Sequence, residues 1–207
     1  MEMFLTLLSG IGWCIVYEEC IRLAIRDKTY AMPFWALALN IAWEGIYTVT
    51  DMSTGGVQAI VNLLWFCLDI VILILYFKYG KKSHEAKSDS VFYAWTILGV
   101  ASMVVVQLAF VKEFGLAGHL SAQYSAFPQN LLMSIAFIHM LVKRGNTKGQ
   151  SMLLAVAKWI GTLAPTITMG IMSTNYVVLA CGVLCTVYDL IYIALLYRAK
   201  KSEKEGV

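Results

Sequence analysis

Long apolar stretches alternate along this chain with short polar segments. A helical bilayer crossing takes about 20 mostly apolar residues, and the stretches of that length predict spans at residues 3–21, 33–50, 57–77, 91–111, 120–142, 152–172 and 176–197. The segments between them leave no room for a separate soluble domain. The pattern therefore predicts an all-α bundle of seven transmembrane helices, with the whole chain, residues 1–207, forming a single integral-membrane domain.

The basic residues support this number of spans. Of the 16 Lys and Arg residues, 14 follow the first, third, fifth or seventh span, Lys112 lies in a segment on the opposite side, and Lys158 lies inside the sixth span. Cytoplasmic loops are enriched in Lys and Arg. This distribution predicts that the N-terminus lies outside and the C-terminus in the cytoplasm. Because no basic segment precedes the first apolar run, we expect a retained span and not a cleaved signal peptide.

Composition narrows the possible partners. The chain is 59% apolar and only 14% charged, which excludes disorder and fits a membrane protein better than a soluble domain. Nucleic acid is not an expected partner, because the basic residues lie at span ends and do not form one face. The His and Cys residues lack the spacing of a metal site, so no metal is expected. Membrane lipid is the expected environment.

Three carboxylates fall near the predicted bilayer midplane: Glu44, Asp69 and Asp189. A carboxylate at that depth costs about 2.5–3.5 kcal/mol on insertion scales. Each belongs to a polar stripe at helical spacing, and the fifth and sixth spans carry further polar residues. These stripes should face one interior, because lipid cannot satisfy them. Their main members are Asn40, Tyr47, Asn62, Trp65, Asn130, Ser134, Lys158, Thr162 and Tyr192.

Several uses of these acids are compatible with the pattern. They could serve only as hydrogen-bonding links between helices, an interpretation that suits Asp69 better than the other two. A buried carboxyl group that stays protonated could instead relay protons in transport, or act as a general acid on a lipid-soluble substrate. Lys158 could extend to the cytoplasmic surface or pair with an acid.

Missing motifs and nearby aromatic residues favour acid catalysis. The sequence has no paired Asp-rich run for a metal-bound diphosphate, no phosphate-binding Gly loop and no Ser/His/Asp set. The seventh span has no Lys for a retinal Schiff base. Trp and Tyr side chains near the polar stripes could stabilise a carbocation by cation–π contact, although ordinary packing also accounts for each of them.

Ordered motifs extend over nearly the whole chain. They are Gly10-x-x-Trp13-x-x-x-Tyr17, Asp27-Lys28-Thr29-Tyr30-Ala31-Met32-Pro33, Asn40-x-x-Trp43-Glu44, Trp65-x-x-x-Asp69, Gln129-Asn130-Leu131-x-Met133-Ser134, Gly149-Gln150-Ser151, Lys158-Trp159-x-Gly161-Thr162 and Tyr188-Asp189-x-x-Tyr192. The set resembles the integral-membrane terpene cyclases of fungal meroterpenoid and indole-diterpene pathways and their bacterial relatives. The resemblance implies a seven-helix membrane bundle, in agreement with the charge distribution.

The resemblance also implies a chemistry. Glu44 and Asp189 would be the catalytic acids, acting without a cofactor or metal on a lipophilic prenylated small molecule. The fungal enzymes protonate a terminal epoxide on a farnesyl or geranylgeranyl chain, whereas bacterial relatives can protonate a terminal alkene. Such a protein would lie in the endoplasmic reticulum if fungal, or in the plasma membrane if bacterial.

We therefore predict a protonation-initiated terpene cyclase with Glu44 as principal acid and Asp189 assisting. Asn40 and Asp69 are predicted to orient the acids. Further substrate-binding residues are predicted at Tyr17, Trp43, Trp65, Asn130, Trp159 and Tyr192. The alternatives are a small proton-coupled transporter or receptor-like protein that uses the same acids as a relay, and a scaffold in which the acids are only structural.

Overall fold

A computed structural model describes residues 1–52, 57–83 and 88–205. Helices account for nearly all of these residues, and none of them lies in a β-strand, so the all-α prediction is confirmed. The long helices are α1 (Glu2–Asp27), α2 (Phe34–Met52), α3 (Val57–Tyr79), α4 (Asp89–Phe114), α5 (Leu120–Arg144), α6 (Met152–Pro165) and α7 (Tyr176–Glu205). A π-helical segment, Thr166–Met172, continues α6 after Pro165.

Within the described residues, six helices are long and apolar enough to cross a membrane: α1, α3, α4, α5, α6 with its continuation, and α7. The second helix, α2, is not among them, because Asn40, Glu44 and Asp51 lower its hydropathy. Ten of its 19 residues are buried, and it packs on α3, α4 and α5. The polar groups of α2 are therefore turned toward other helices.

The main helix contacts form a ring. Starting from α1, neighbouring helices follow in the order α1, α3, α2, α5, α7, α6 and back to α1, while α4 packs outside this ring against α2 and α5. Side-chain hydrogen bonds across the ring join α1 to α2 through Tyr17 and Glu44, and join α6 to both α5 and α7 through Lys158. The buried polar side chains therefore form two groups, one shared by α1, α2 and α3 and the other by α5, α6 and α7.

One contact of the ring is unusually close. A Cβ atom on Gly12 of α1 would lie 3.0 Å from the Cα of Gly161 and 3.1 Å from the carbonyl oxygen of Ala157 on α6. Ser9 donates a hydrogen bond of 2.8 Å to the carbonyl of Gly161. Small residues at a membrane helix crossing let two backbones approach each other in this way. The Gly12–Gly161 crossing therefore fixes α1 against α6.

Loops close one end of the bundle. The Arg144 guanidinium donates to the Tyr30 carbonyl at 2.7 Å and lies 4.1 Å from the centre of the Tyr30 ring. Asp27 accepts a bond of 2.7 Å from the Gly149 amide. Gly149 has a φ of +72°, and a Cβ there would lie 2.8 Å from the Tyr30 carbonyl oxygen. The α1–α2 and α5–α6 connections are therefore joined to each other.

The C-terminal part of α7 is tied to the same end. Thr147 donates to the Glu203 carboxylate through its amide at 2.7 Å and its hydroxyl at 2.5 Å. The Tyr192 hydroxyl donates to Gln150 Oε1 at 3.0 Å, and both side chains are fully buried. We call this hydrogen-bonded end the closed end. Its contacts account for the Asp27–Pro33 and Gly149–Ser151 motifs as structural elements.

Candidate active site

Glu44 lies near the middle of α2, and only 2% of it is exposed. Its Oε1 atom accepts a hydrogen bond from the Tyr17 hydroxyl of α1, whereas Oε2 has no hydrogen-bond partner among the described residues. A buried polar atom without a partner costs about 1–3 kcal/mol. The free oxygen of Glu44 is therefore an unsatisfied position where a proton or a ligand can bind.

A chain of amide side chains holds Tyr17 in place. Asn40 donates to the Tyr17 hydroxyl at 3.0 Å, Gln129 donates to Asn40 Oδ1 at 3.3 Å, and Gln107 donates to Gln129 Oε1 at 2.9 Å. These side chains come from α1, α2, α4 and α5, so the network fixes the position of Glu44 from four helices. Asn40 therefore contacts Glu44 through Tyr17.

Asp69 of α3 lies close to Glu44. Its side chain is fully buried, and it lies close enough to Glu44 for the two carboxyl groups to interact electrostatically. Neither Asp69 oxygen has a hydrogen-bond partner in the described part of the chain. One turn earlier on α3, the Trp65 ring lies 6.3 Å from the Tyr17 ring, and its buried Nε1 is also unpartnered. This cluster of Tyr17, Asn40, Glu44, Trp65 and Asp69 is called the Glu44 cluster below.

Asp189 lies in a different environment on α7. Lys158 of α6 binds its two carboxylate oxygens at 2.9 and 3.0 Å and donates to the Ser134 hydroxyl at 2.6 Å. The Lys158 and Asp189 side chains are each only 1% exposed. Of the two alternatives for Lys158, pairing with an acid is the one observed. Asp189 is accordingly a charge-paired group.

The polar residues of α5 and α6 extend this second group. Asn130 donates to the Thr162 hydroxyl at 2.9 Å, and Ser134 donates to the Asn130 carbonyl at 3.1 Å. The Asn130 Oδ1 atom is buried and has no hydrogen-bond partner within the described ranges. Ser134, Lys158 and Asp189, together with Asn130 and Thr162, are called the Lys158 cluster below.

The other predicted residues occupy separate positions. Trp43 is half-buried and donates from Nε1 to the Ala122 carbonyl at 3.0 Å. Trp159 has a buried Nε1 without a partner among the described residues. The Tyr192 ring lies 5.4 Å from the Phe137 ring, and its hydroxyl points to the closed end. Each of these residues therefore lies outside the hydrogen bonds of the Glu44 cluster.

The two predicted acids thus belong to separate hydrogen-bonded groups. Within residues 1–52, 57–83 and 88–205, neither a hydrogen bond nor an ion pair joins Glu44 to Asp189. In the same part of the chain, no group of three or more His, Cys, Asp and Glu side chains is arranged to hold a metal ion. The Glu44 cluster offers a carboxyl group with a free oxygen beside a second, unpaired carboxyl group, which is an arrangement suited to proton transfer.

Sequence reasoning did not identify two residues of this site. Gln129 belongs to a motif of the family resemblance, but nothing in the pattern connects it to Asn40 on another helix. Gln107 lies within the apolar α4. An isolated amide side chain at membrane depth is the feature of the sequence that could have marked it as a functional residue. Their hydrogen bonds show that α4, although outside the ring, supports the Glu44 cluster.

Comparison with known proteins identifies relatives. The family of Pyr4-like transmembrane terpene cyclases matches residues 1–202 of this chain. Among curated proteins, the chain is 31% identical to the Pyr4-family terpene cyclase mfmH of Annulohypoxylon moriforme over 77% of its own length and 66% of the relative. It is 26% identical to the terpene cyclase andB of Emericella variicolor over 96% of its own length and 88% of the relative.

The terpene cyclase pyr4 of Aspergillus fumigatus is 23% identical over 95% of this chain and 86% of that protein. No solved structure matches the chain. The family match runs through all seven helices described above, and the apolar helices agree with the transmembrane character of the family. The chain therefore belongs to the Pyr4-like transmembrane terpene cyclases, a family of multi-pass membrane enzymes.

Proposed function

We propose that this terpene cyclase starts the cyclisation of a lipophilic, prenylated small molecule by protonating it from Glu44. The supporting observation is the asymmetry of the Glu44 carboxyl group. Tyr17 donates to Oε1, while Oε2 is buried and has no hydrogen-bond partner in the part of the chain that the structure describes. A general acid must lie within hydrogen-bond reach of the substrate atom that it protonates, and Oε2 is the Glu44 oxygen that is free to do so. The proton would go to the terminal epoxide oxygen or the terminal alkene carbon of a prenyl chain, and ring closure by a cation cascade would follow.

Aromatic side chains around Glu44 fit a cationic reaction. The Trp13 and Trp65 rings lie 6.1 and 6.3 Å from the ring of Tyr17, whose hydroxyl donates to the acid. The negative face of an aromatic ring attracts a cation, most strongly where water is absent. Excluding water also prevents premature quenching of a carbocation. These rings would therefore protect the cation that forms beside Glu44.

Asp189 takes a different role from Glu44 in this proposal. Both Asp189 oxygens accept hydrogen bonds from the Lys158 ammonium, so this carboxyl group is suited to stabilising positive charge and not to supplying the first proton. Asp189 would thus assist the reaction from the Lys158 cluster, which lies on α5, α6 and α7. Asn130, Trp43, Trp159 and Tyr192 are proposed to line the path of the substrate between and beyond the two clusters.

The proposed membrane topology has seven crossings, including α2, with the N-terminus outside and the C-terminus in the cytoplasm. The distribution of Lys and Arg supports this orientation. The closed end would then face the cytoplasm. A prenylated substrate partitions into lipid by the hydrophobic effect, so it would reach the site from the bilayer. The membrane would be the endoplasmic reticulum in a fungal cell or the plasma membrane in a bacterial cell.

The decisive test replaces the proposed acid. Membranes containing the wild-type protein or Glu44→Gln are incubated with two linear farnesylated aromatic compounds, one with a terminal epoxide and one with a terminal alkene. We expect the wild type to give an isomer of equal mass and altered retention from at least one compound, and Glu44→Gln to lose nearly all of it. The amide keeps the shape of the side chain but has no proton to donate.

Asp51→Asn is the matched control for that test. It makes the same carboxyl-to-amide change two turns further along α2, where Asp51 accepts a bond of 2.8 Å from Asn62, and it should retain wild-type turnover. Wild-type-like cyclisation by Glu44→Gln would overturn the assignment. If the wild type moves the compound across the membrane without changing it chemically, the protein acts as a transporter.

A further inference from the structure

Asp69 is the buried carboxyl group whose role the proposed mechanism leaves open. It is completely buried, and both of its oxygens lack a hydrogen-bond partner among the described residues. It interacts electrostatically with Glu44 of α2 and with Tyr17 and Cys20 of α1, the titratable groups that face it from the helices packed against α3. All four groups are neutral or negative, so nothing in this set compensates a charge on Asp69.

Two nearby carboxylates at this depth could not both be ionised. In the described part of the chain, no cation is paired with either Glu44 or Asp69, and the buried Lys158 is bound to Asp189. Removing an unpaired ion from water costs several kcal/mol, and like charges a short distance apart add to that cost. The resting pair must therefore carry protons, and the unpartnered oxygens of both side chains are the positions that can hold them.

We propose that Glu44 and Asp69 form a proton-sharing pair in which Asp69 stabilises the Glu44 carboxylate that forms during each reaction cycle. This inference rests on the proposed function of Glu44. At rest both groups are protonated. The O–H bond of Glu44 breaks as its proton forms a bond to the substrate, and the proton of Asp69 then bridges the two carboxyl groups. The proton that the final cation loses restores the pair, so the substrate is isomerised and no proton is consumed.

This arrangement makes Asp69 a positioning residue that acts through Glu44. Tyr17 donates to Oε1 throughout, and Asp69 donates toward Oε2 only after the proton has left. Since that second hydrogen bond forms with the developing carboxylate and not with the resting acid, it favours the transition state over the ground state.

The experiment compares Asp69→Asn and Asp69→Glu with wild type, using Asp51→Asn as control. Membranes receive the linear compound that wild type converts, and turnover is measured over a range of pH. We expect Asp69→Asn to lower kcat at least about tenfold, less than the roughly 10²–10⁴-fold of a direct proton donor because Asp69 acts through Glu44, while KM should change much less than kcat. Its activity should also fall at a lower pH than in wild type, because an amide stabilises ionised Glu44 without repelling it.

Asp69→Glu should recover more activity than Asp69→Asn, since it restores a carboxyl group. Wild-type turnover and an unchanged pH profile in Asp69→Asn would overturn the inference. Equal loss of activity in folded Asp69→Asn and folded Asp69→Glu would also overturn the inference, because that result indicates a packing role for Asp69. If Glu44→Gln is inactive in the same membranes, the proposed function survives this outcome. If Glu44→Gln is active, the proposed function itself has failed.

Infrared spectroscopy gives a second measurement that does not depend on activity. Purified wild-type protein at neutral pH should show the carbonyl stretch of two protonated carboxyl groups. Glu44→Gln should lose about half of this band, whereas Asp51→Asn should leave it unchanged. Absence of the band from wild type would overturn the proton-sharing pair, even where Asp69→Asn does not fold.

Discussion

Lys158 and Asp189 form an ion pair at a depth where neither charge can reach water. Removing one partner of such a pair leaves an uncompensated buried charge and costs about 3–5 kcal/mol. We therefore expect Lys158→Met to lower the midpoint of thermal unfolding in detergent substantially. The change keeps an unbranched apolar side chain of similar volume, with sulfur in place of Cδ, and removes the ammonium group.

The double variant Lys158→Met with Asp189→Asn is the control for this prediction. It leaves no unpaired charge, so most of the lost stability should return, while the cyclase activity should stay low because the charged group near the substrate is gone. A single variant as stable as wild type would contradict the buried ion pair. Full activity in the double variant would contradict the assisting role of Asp189.

At the residue scale, the sequence identified the acids but not their partners. Glu44, Asp69 and Asp189 could be found because a carboxylate in an apolar stretch is costly and conspicuous. The pairing of Lys158 with Asp189 and the separation of Glu44 from Asp189 depend on which helices are neighbours, which a helical period does not reveal. The links through Gln129 and Gln107 depend on the rotation of α5 and α4 for the same reason.

At the element scale, the Gly12–Gly161 crossing determines how closely α1 and α6 pack. A Cβ on Gly12 would meet backbone atoms at 3.0 and 3.1 Å, whereas a Cβ on Gly10 would meet nothing within 4 Å. We expect Gly12→Val to destabilise the protein by about 1–3 kcal/mol, the usual cost of overpacking, and Gly10→Val to have little effect. Thermal unfolding of the two purified variants in the same detergent makes the comparison.

These two glycines are a matched pair, because both lie on α1 and the substitution is the same. Equal destabilisation by the two changes would mean that helix propensity, and not the α1–α6 contact, is responsible. Gly12→Val should also reduce cyclisation, since Tyr17 lies on the same helix and donates to Glu44. A fully stable and active Gly12→Val would show that α1 and α6 are not held together at this point.

The helices themselves were largely predictable, since six of the described helices coincide with long apolar stretches. The ends of the helices were less predictable. The helix α1 continues to Asp27 and α7 to Glu205, beyond the predicted limits of 21 and 197, because polar helical turns extend past the apolar region at the closed end. The break of α6 at Pro165 follows from the missing amide of proline.

At the scale of the whole molecule, the membrane topology of the chain depends on whether α2 crosses the bilayer. By hydropathy alone it falls outside the six span-capable helices, yet it carries Glu44 and packs on α3, α4 and α5. If α2 crosses the membrane, the two termini lie on opposite sides and every basic segment except that of Lys112 is cytoplasmic. If it does not, the termini share one side and the basic residues are divided between both.

We expect an epitope tag at the N-terminus to be accessible to antibody on intact cells or sealed vesicles that expose the outer face. A tag fused at the C-terminus should become accessible only after permeabilisation. The reason is energetic as well as topological, because the Glu44 and Asn40 side chains are buried and make hydrogen bonds inside the ring, so α2 need not expose them to lipid. Equal access to both tags would exclude seven crossings, and reversed access would place the closed end, with its Arg144–Tyr30 contact, on the outer face.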